Sequence, residues 1–254
     1  MTKTAAILTI GDEILSGRTQ DTNMSYIATW LGDKGIDVNE ARTVSDVETD
    51  IVAAVQALSG RYDYVFTTGG IGPTHDDITA EAIAAAFNTP IDIRDDAYAI
   101  LDAHYPPGEF TDARKRMARI PDGATLIDNP VSKAPGFRLE NVFVMAGVPI
   151  IMKAMLESLA HDLIGGPKME SRTYTGHGMA EGKIAEQLSA FADKWPDVSI
   201  GSYPYFRQKG AQGGNGVSVV LRSRNGADLD AAARAVERMI KDQGITPNDA
   251  DHKG

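Results

Sequence analysis

The sequence has no cysteine, few aromatic residues and no long hydrophobic run. Phe, Trp and Tyr make up 7% of its 254 residues. The missing thiol excludes a disulfide scaffold, a Cys-ligated zinc site, an iron–sulfur cluster and a cysteine nucleophile. No stretch approaches the roughly 18 apolar residues that span a bilayer, and no basic segment with an apolar run follows Met1. We therefore expect a cytoplasmic protein with neither a signal peptide nor a membrane partner.

Acidic residues are in excess, and the excess is unevenly placed. The net charge is −10, and residues 1–166 hold 13 Lys and Arg against 24 Asp and Glu. A negative field of this kind repels the phosphate backbone, so we expect no nucleic-acid partner. A small phosphorylated ligand remains possible where a metal ion or a helix N-terminus supplies local positive charge.

The first two-thirds of the chain alternates strand-like and helix-like segments. Apolar strand patterns cover residues 4–10, 36–44, 62–68 and 141–146, and apolar residues at helical spacing lie between them. This order favours a parallel sheet with helices on both faces. We therefore predict an α/β fold, a three-layer, doubly wound and mostly parallel sheet.

A Gly-Gly-Pro sequence at 165–167 predicts a domain boundary. The domains expected from it are 1–166, a small α+β domain of order βαββα at 167–245, and a flexible polar tail at 246–254. In the small domain, a mobile hairpin loop is predicted at 210–216, and Asp228 is the expected cap of the last helix.

A glycine-rich segment joins the third predicted strand to the next helix, with Gly69, Gly70 and Gly72 close together. In open α/β sheets, ligands bind beyond the carboxyl ends of the strands. Glycines leave backbone N–H groups open to an anion, and the helix N-terminus adds partial positive charge. The segment therefore predicts a phosphate-binding loop formed by Thr68, Gly69, Gly70, Gly72 and Thr74.

Two aspartates, Asp76 and Asp77, lie at the end of this segment, and Glu13 follows the first strand at the same predicted edge. Mg²⁺ typically takes one or two carboxylates plus phosphate oxygens of the substrate. We therefore predict a divalent metal ion, Mg²⁺ by preference, held by Glu13, Asp76 and Asp77. The alternatives are a structural turn, in which Thr74 and Asp77 form a capping box, and a solvated loop around Glu13.

Further residues are expected near this edge. Asp46 follows the second strand, where it could instead cap a helix. Lys133, in the turn-rich segment 129–137, could neutralise phosphate, and Gly147 precedes a helix N-terminus; the alternative is that the prolines and glycines only fix turns. The basic cluster 114–119 is either a solvated helix face or reaches the ligand or a neighbouring subunit.

Six separated motifs occur in the order typical of one known family. They are Gly-Asp-Glu-Ile-Leu at 11–15, Asp-Thr-Asn at 21–23, Gly-Gly-Ile-Gly-Pro-Thr-His-Asp-Asp at 69–77, Asn-Pro-Val at 129–131, Ala-Pro-Gly-Phe at 134–137 and Gly-Val-Pro at 147–149. Together they resemble the competence/damage-inducible protein A (CinA) family over about residues 4–164. The N-terminal domain of that family has the molybdopterin-binding fold of MoaB and MogA. Residues 178–181 and 200–204 also resemble the KH-like domain that follows it.

The resemblance implies a ligand cleft at the 69–77 loop and two alternative functions. One is metal-dependent hydrolysis of a nucleotide diphosphate such as ADP-ribose. The other is binding of molybdopterin or a nucleotide without hydrolysis, linked to molybdenum cofactor biosynthesis. The ligand is then a small phosphorylated nucleotide or a pterin, and the protein is expected to be a homodimer or homotrimer. Aspartates important in the relatives match Asp46 and Asp77, which are the catalytic residues the resemblance implies.

Three departures from the family pattern are visible. Ile151 stands where the family commonly has an acidic residue, which puts one ligand contact in doubt. Ser132 and Lys133 replace the usual Gly-Thr pair. The chain does not extend over the C-terminal deamidase domain of longer members, so that activity is not predicted.

Overall fold

A computed structural model describes residues 2–206 and 214–249, and it divides the chain into two compact units, Met1–Gly166 and Pro167–Gly254. Among the described residues, no helix combines the length and the apolar character needed to cross a membrane.

The centre of the first unit is a sheet of six described strands. Its order is β2-β1-β3-β8-β7-β6, in which the first four strands are parallel and β7 runs antiparallel to both of its neighbours. This confirms the predicted α/β fold with a mostly parallel sheet. The strands are β1 (Lys3–Ile10), β2 (Ile36–Val44), β3 (Tyr64–Thr68), β6 (Thr125–Ile127), β7 (Gly136–Leu139) and β8 (Val142–Met145).

Helices cover both faces of this sheet. Alternate residues of β1 belong to different cores: Leu8 packs with helices α3, α4 and α5, whereas Ile7 packs with α2 and α7. Successive side chains of a strand point to opposite faces, so the two cores are the two sides of one sheet. The helices are α1 (Asp12–Leu15), α2 (Asn23–Asp33), α3 (Glu48–Ser59), α4 (Thr79–Ala86), α5 (Asp95–His104), α6 (Asp112–Lys115) and α7 (Pro149–Ser158).

The least regular part of the first unit lies between α4 and β7. Short strands β4 (Ile91–Ile93) and β5 (Arg119–Pro121) pair antiparallel, and a 3-10 turn at Arg116–Ala118 joins α6 to β5. The predicted basic cluster therefore spans a helix, a turn and a strand rather than one helix face. This segment places α5 and α6 beside the carboxyl edge of the large sheet, where they form part of the site described below.

Within the described residues, the second unit has an antiparallel sheet of four strands, in the order β10-β11-β9-β12, and two helices. The predicted βαββα order is present, but a further strand follows it. Asn248–Asp249 pairs with β9, so the prediction of a flexible tail from residue 246 is wrong for those two residues. The elements are β9 (Glu170–His177), α8 (Glu181–Lys194), β10 (Ser199–Tyr205), β11 (Gly216–Ser223), α9 (Gly226–Asp242) and β12 (Asn248–Asp249).

Two other predictions for this unit concern the N-cap of α9 and the loop at 210–216. The side chain of Asn225, not Asp228, caps α9, because its Oδ1 accepts hydrogen bonds from the N–H groups of Ala227 and Asp228. The predicted loop at 210–216 falls largely on residues 207–213, which lie outside the described residues.

Candidate functional site

The carboxyl ends of β1, β2, β3 and β8 meet at one edge of the large sheet. Backbone bonds join them there: the N–H of Gly11 donates to the carbonyl of Val44 at 3.1 Å, and the N–H of Gly69 donates to that of Met145 at 3.2 Å. The amide of Asn23 donates to the carbonyl of Gly147 at 2.7 Å. The predicted convergence of these loops is therefore present.

The glycine-rich loop needs its glycines first of all for close packing within the fold. Gly69 has a φ of 107°, and a Cβ there would lie 2.1 Å from the carbonyl oxygen of Ile10. Gly70 has a φ of 67°, and its Cβ would lie 2.2 Å from the hydroxyl of Thr79. Both conformations are unfavourable for residues with a side chain. The space left by these two missing Cβ atoms is thus filled by the protein itself.

The backbone of this loop nevertheless offers donors to a ligand. In the described part of the chain, the N–H groups of Gly70, Ile71 and Gly72 donate to no protein acceptor. The N–H groups of Gly147 and Val148, which precede the N-terminus of α7, likewise have no acceptor among the residues that the structure covers. Helix N-termini carry partial positive charge, so this pair of loops suits an anionic group.

These two loops lie side by side, since a Cβ on Gly147 would lie 3.2 Å from the Cα of Gly69, and both border one open cleft of about 690 Å³. Small-molecule sites commonly have volumes of roughly 300–1,000 Å³. The cleft is bordered by Glu13, Gly69, Gly70, Ile71, Gly72, Asp77, Tyr105, Arg114, Met117, Asn129, Ser132, Ala134, Gly147 and Ile151, among others. Of the predicted site residues, Glu13, Gly69, Gly70, Gly72, Asp77 and Gly147 line it. The structure places Thr68, Thr74, Asp46, Asp76 and Lys133 outside this lining.

Asp77 has a structural role in the loop and also borders the cleft. Its Oδ2 accepts hydrogen bonds from the backbone N–H of Thr74 at 2.8 Å and from the Thr74 hydroxyl. The next helix begins at Thr79, so this pair closes the loop and does not cap the helix. The carboxyl is only half-buried and lines the cleft. Asp77 therefore holds the loop in shape while still facing the ligand space.

Asp46 does not cap α3, whose N-cap is Val47 without a side-chain bond. Its carboxylate instead accepts the backbone N–H of Asp12 at 2.9 Å, which anchors the helix that carries Glu13. Burial and the nearby carboxylates of Asp12, Glu13 and Asp76 raise the pKa of Asp46, although the bond from Asp12 opposes this. Asp46 thus acts on the cleft through the position of Glu13.

The three predicted metal ligands do not form a ready-made cage. Among the described residues there is no group of three or more His, Asp or Glu side chains that could hold a metal ion. Asp76 is exposed and lies outside the cleft, and hydrogen bonds with Thr74 lower its pKa. Glu13 and Asp77 alone share the cleft, so the fold offers at most two carboxylates to an ion whose other ligands come from a substrate.

Lys133 is a residue of a tight turn. It has a φ of 62°, and its N–H donates to the carbonyl of Asn129. The Asn129 side chain holds the turn together by bonding to Ser132 and to the carbonyl of Ala134. This supports the structural interpretation of the segment, while Asn129, Ser132 and Ala134 border the cleft.

A small cavity of about 60 Å³ lies next to the cleft, bordered by Glu13, Asn23, Thr68 and Gly69 among others. Asn23 is 6% exposed, and its Oδ1 has no hydrogen-bond partner within the described chain. Buried acceptors are rarely left unpaired. The position has room for a water molecule, which would satisfy Asn23.

Sequence reasoning missed part of one wall of the cleft: Tyr105 and Met117 were not predicted, whereas Arg114 belongs to the basic cluster that was expected either to be solvated or to reach the ligand or a neighbouring subunit. Tyr105, Arg114 and Met117 come from the segment around α5 and α6, and they border the cleft. The cationic residues at 114–119 are the signal that pointed there, but they do not act alike. Arg119 and Arg116 pair with Glu81, whereas Arg114 lies over the ring of Tyr105.

Comparisons with known proteins agree with this architecture. Residues 6–165 match the family model described as a probable molybdopterin binding domain, and residues 177–249 match the middle domain of FAD synthase. A crystal structure of CinA from Thermoplasma acidophilum, a protein of unknown function, superposes with a TM-score of 0.61 at 35% identity. The superposition covers 63% of this chain and 98% of the CinA chain.

Related sequences include both short and long proteins. A Pyrococcus furiosus protein is 34% identical over 95% of this chain and 97% of its own length. A CinA-like protein of Citrifermentans bemidjiense is 32% identical, and the match covers 95% of this chain but 64% of that protein's length. A CinA-like protein of Geobacter is 36% identical, and the match covers 77% of this chain and 52% of that protein's length. The chain thus spans half to two-thirds of these CinA-like proteins. It belongs to the family of probable molybdopterin-binding domains and is CinA-like.

Proposed function

We propose that the protein hydrolyses a nucleoside diphosphate such as ADP-ribose with the help of a divalent metal ion. The observation that carries this proposal is one cleft that combines free backbone N–H groups of two loops with the carboxylates of Glu13 and Asp77. The N–H groups suit phosphate oxygens, and the carboxylates suit a cation bound to the same phosphates.

Each part of the cleft has a distinct role in the proposed reaction. The loops at Gly70–Gly72 and Gly147 would bind the diphosphate and stabilise charge that develops on the reacting phosphorus. A divalent ion would neutralise phosphate charge and polarise the P–O bond, with Glu13 and Asp77 as its protein ligands. Water adds to one phosphorus, the P–O–P bridge breaks, and AMP and ribose 5-phosphate leave.

A product assay with ADP-ribose tests this function. We expect release of AMP with Mg²⁺ or another divalent ion, and none with EDTA. Glu13→Gln and Asp77→Asn should each lower the rate by about 10- to 100-fold, because each removes a charged ligand. Asp162→Asn is the control, since Asp162 is exposed and does not border the cleft. Absence of AMP with every metal tested contradicts the proposal.

A second candidate function is binding of molybdopterin or a nucleotide without turnover. Ile151 favours it, because this apolar residue lines the cleft at the place where the family resemblance predicts an acid. The observation that distinguishes the two is retention of a pterin or nucleotide by the purified protein with no product formed in the presence of metal. This candidate is contradicted if purified wild-type protein retains no more pterin or nucleotide than a Gly70→Val variant does.

A further inference from the structure

We propose that Arg114 and Tyr105 form a stacking site for the planar heterocycle of the ligand, either a purine or a pterin. This inference rests on the proposed function, in that it assigns the heterocycle of a phosphorylated ligand to the wall around α5 and α6. It names the residues that make the cleft select a nucleotide over a bare diphosphate.

The wall is a column of packed planar groups, in which one ring, that of Tyr98, is tilted by 59° to the next. The rings of Tyr105 and Phe110 are nearly parallel, with centroids 5.7 Å apart and planes at 15°. Tyr98 packs on Phe110 at 5.0 Å. The guanidinium carbon of Arg114 lies 4.3 Å from the centre of the Tyr105 ring. Of this column, Tyr105 and Arg114 border the cleft, so the column ends at the ligand space.

Arg114 is held in place before any ligand arrives. Its Nη1 donates to the carbonyl of Glu109 at 2.6 Å, and the Glu109 carboxylate lies 3.5 Å away. The side chain keeps 36% of its surface exposed. A guanidinium fixed in this way loses little freedom when a flat ring stacks on it, and such planes commonly stack on bases.

The other cations of this segment are engaged elsewhere. Arg116 and Arg119 both pair with Glu81, and Lys115 pairs with Asp112. Arg114 is the one basic residue among the described residues that border the cleft. The free N–H groups lie in the loops at 70–72 and 147–148, which border the same cleft, so a diphosphate can bind there while a ring lies against Arg114. The volume of about 690 Å³ has room for both groups.

Equilibrium binding to the full chain, measured by calorimetry, tests this assignment. The probes are ADP, neopterin and inorganic pyrophosphate. Arg114→Ala should weaken ADP binding by about tenfold, the usual effect of losing one stacking partner, and leave pyrophosphate unchanged. Tyr105→Leu should weaken ADP binding by less and also leave pyrophosphate unchanged, because Tyr105 is a positioning residue whose ring supports the Arg114 guanidinium. Arg114→Lys should behave like Arg114→Ala because it keeps the charge but not the plane, and Tyr105→Phe should behave like wild type. The neopterin arm shows whether a pterin ring uses the same wall.

A matched control is Arg138→Ala. Arg138 also lies over an aromatic ring, that of Phe143, but does not border the cleft. Far-UV circular dichroism of each variant verifies that it is folded.

The inference is overturned if the Arg114 and Tyr105 variants bind ADP as tightly as wild type does. In that case the proposed function still stands, because the wild-type protein binds ADP. The inference is also overturned if Arg114→Ala weakens pyrophosphate and ADP equally and Arg114→Lys restores both, because Arg114 then binds phosphate. Failure of the wild type to bind ADP and pyrophosphate overturns the proposed function together with this inference.

Discussion

Gly69 shows how a single residue can be required by the fold and by the site at once. Its backbone passes so close to β1 that a Cβ would lie 2.1 Å from the Ile10 carbonyl oxygen, and Gly147 packs on its other side. A side chain at this position would separate the ends of β1, β3 and β8. The same close approach brings the two donor loops to one cleft.

Gly69→Ala is therefore expected to destabilise the protein strongly. The substitution combines a backbone clash with a positive φ, so the free energy of unfolding should fall by more than about 3 kcal/mol. The control is Gly32→Ala in α2, where nothing lies within 4 Å of the added Cβ. That change should be neutral or stabilise by up to about 1 kcal/mol. Urea unfolding of both variants measures the difference, and equal stabilities would contradict the packing argument.

Residues that border the cleft could be predicted where position along the chain was enough, as for Glu13, Asp77 and Gly147. The order of strands fixes which loops meet at the carboxyl edge. The role of Asp46 was not predictable, because its partner is a backbone N–H 34 residues away. Tyr105 was missed for a similar reason: an irregular segment brings it to the cleft, and no periodicity reveals that path.

Helix α9 illustrates how element ends depend on one side chain. Asn225 and Asp228 are both residue types that cap helices, and only the structure shows that Asn225 accepts the two N–H groups. The Nδ2 of Asn225 also donates to Asp228 at 2.6 Å, so the two side chains act together at the helix start.

Asn225→Ala should lower the stability of the second unit by about 1 kcal/mol, the typical effect of losing an N-cap. Asp228→Ala is the matched comparison and should cost less, since it removes the first-turn charge and the acceptor of Asn225 Nδ2 but leaves both N–H bonds to Asn225 Oδ1 in place. Asn225→Ser should retain most of the stability. Thermal unfolding followed by circular dichroism measures all three. A larger loss for Asp228→Ala than for Asn225→Ala would show that the cap is assigned to the wrong residue.

Most elements of the fold could be predicted because their apolar pattern follows one period over many residues. β1 and β2 are examples: the predicted segments 4–10 and 36–44 correspond to Lys3–Ile10 and Ile36–Val44. The short elements α1, α6 and β12 could not, since four residues or fewer carry no detectable period. They are formed by tertiary contacts, such as the bond from Asp12 to Asp46 and the pairing of Asn248 with Thr175.

At the scale of the whole molecule, one carboxylate ties distant parts of the sheet together. Asp63 precedes β3 and binds the beginning of β1: Lys3 Nζ lies 2.6 Å from one oxygen, and the N–H of Thr4 donates to the other at 2.9 Å. These bonds lower the pKa of Asp63 to about 2. Its pKa in an unfolded chain is about 3.9.

Asp63 should therefore stabilise the fold above pH 4 and lose that effect as the pH falls towards 2. Between these values the unfolded chain binds more protons than the folded one, so acid favours unfolding. Because the group is one-third exposed, we expect Asp63→Asn to cost about 1 kcal/mol at pH 7, less than the full shift implies. Urea unfolding at pH 7, 4 and 3 should show the gap between variant and wild type shrinking, with Asp162→Asn as control. A gap that stays constant with pH would exclude this role.

The two units each bury their own apolar core, with the first unit's helices on its own sheet and the second unit's on its own. A fragment of residues 1–166 is therefore expected to fold by itself and to unfold cooperatively. Its far-UV circular dichroism and a urea transition provide the measurement. A broad, non-cooperative transition would show that the first unit depends on the rest of the chain.

The backbone contact between Gly69, Ile10 and Gly147 also has a consequence for how this fold can diversify. Since no side chain fits at Gly69, where β3 ends, substitution at this position cannot widen the cleft or change its lining. Changes of ligand preference are instead expected at side chains that border the cleft, such as those of the α5–α6 wall, the turn around Asn129 and Ile151. Directed evolution towards other phosphorylated compounds should concentrate its libraries there and leave the glycines untouched.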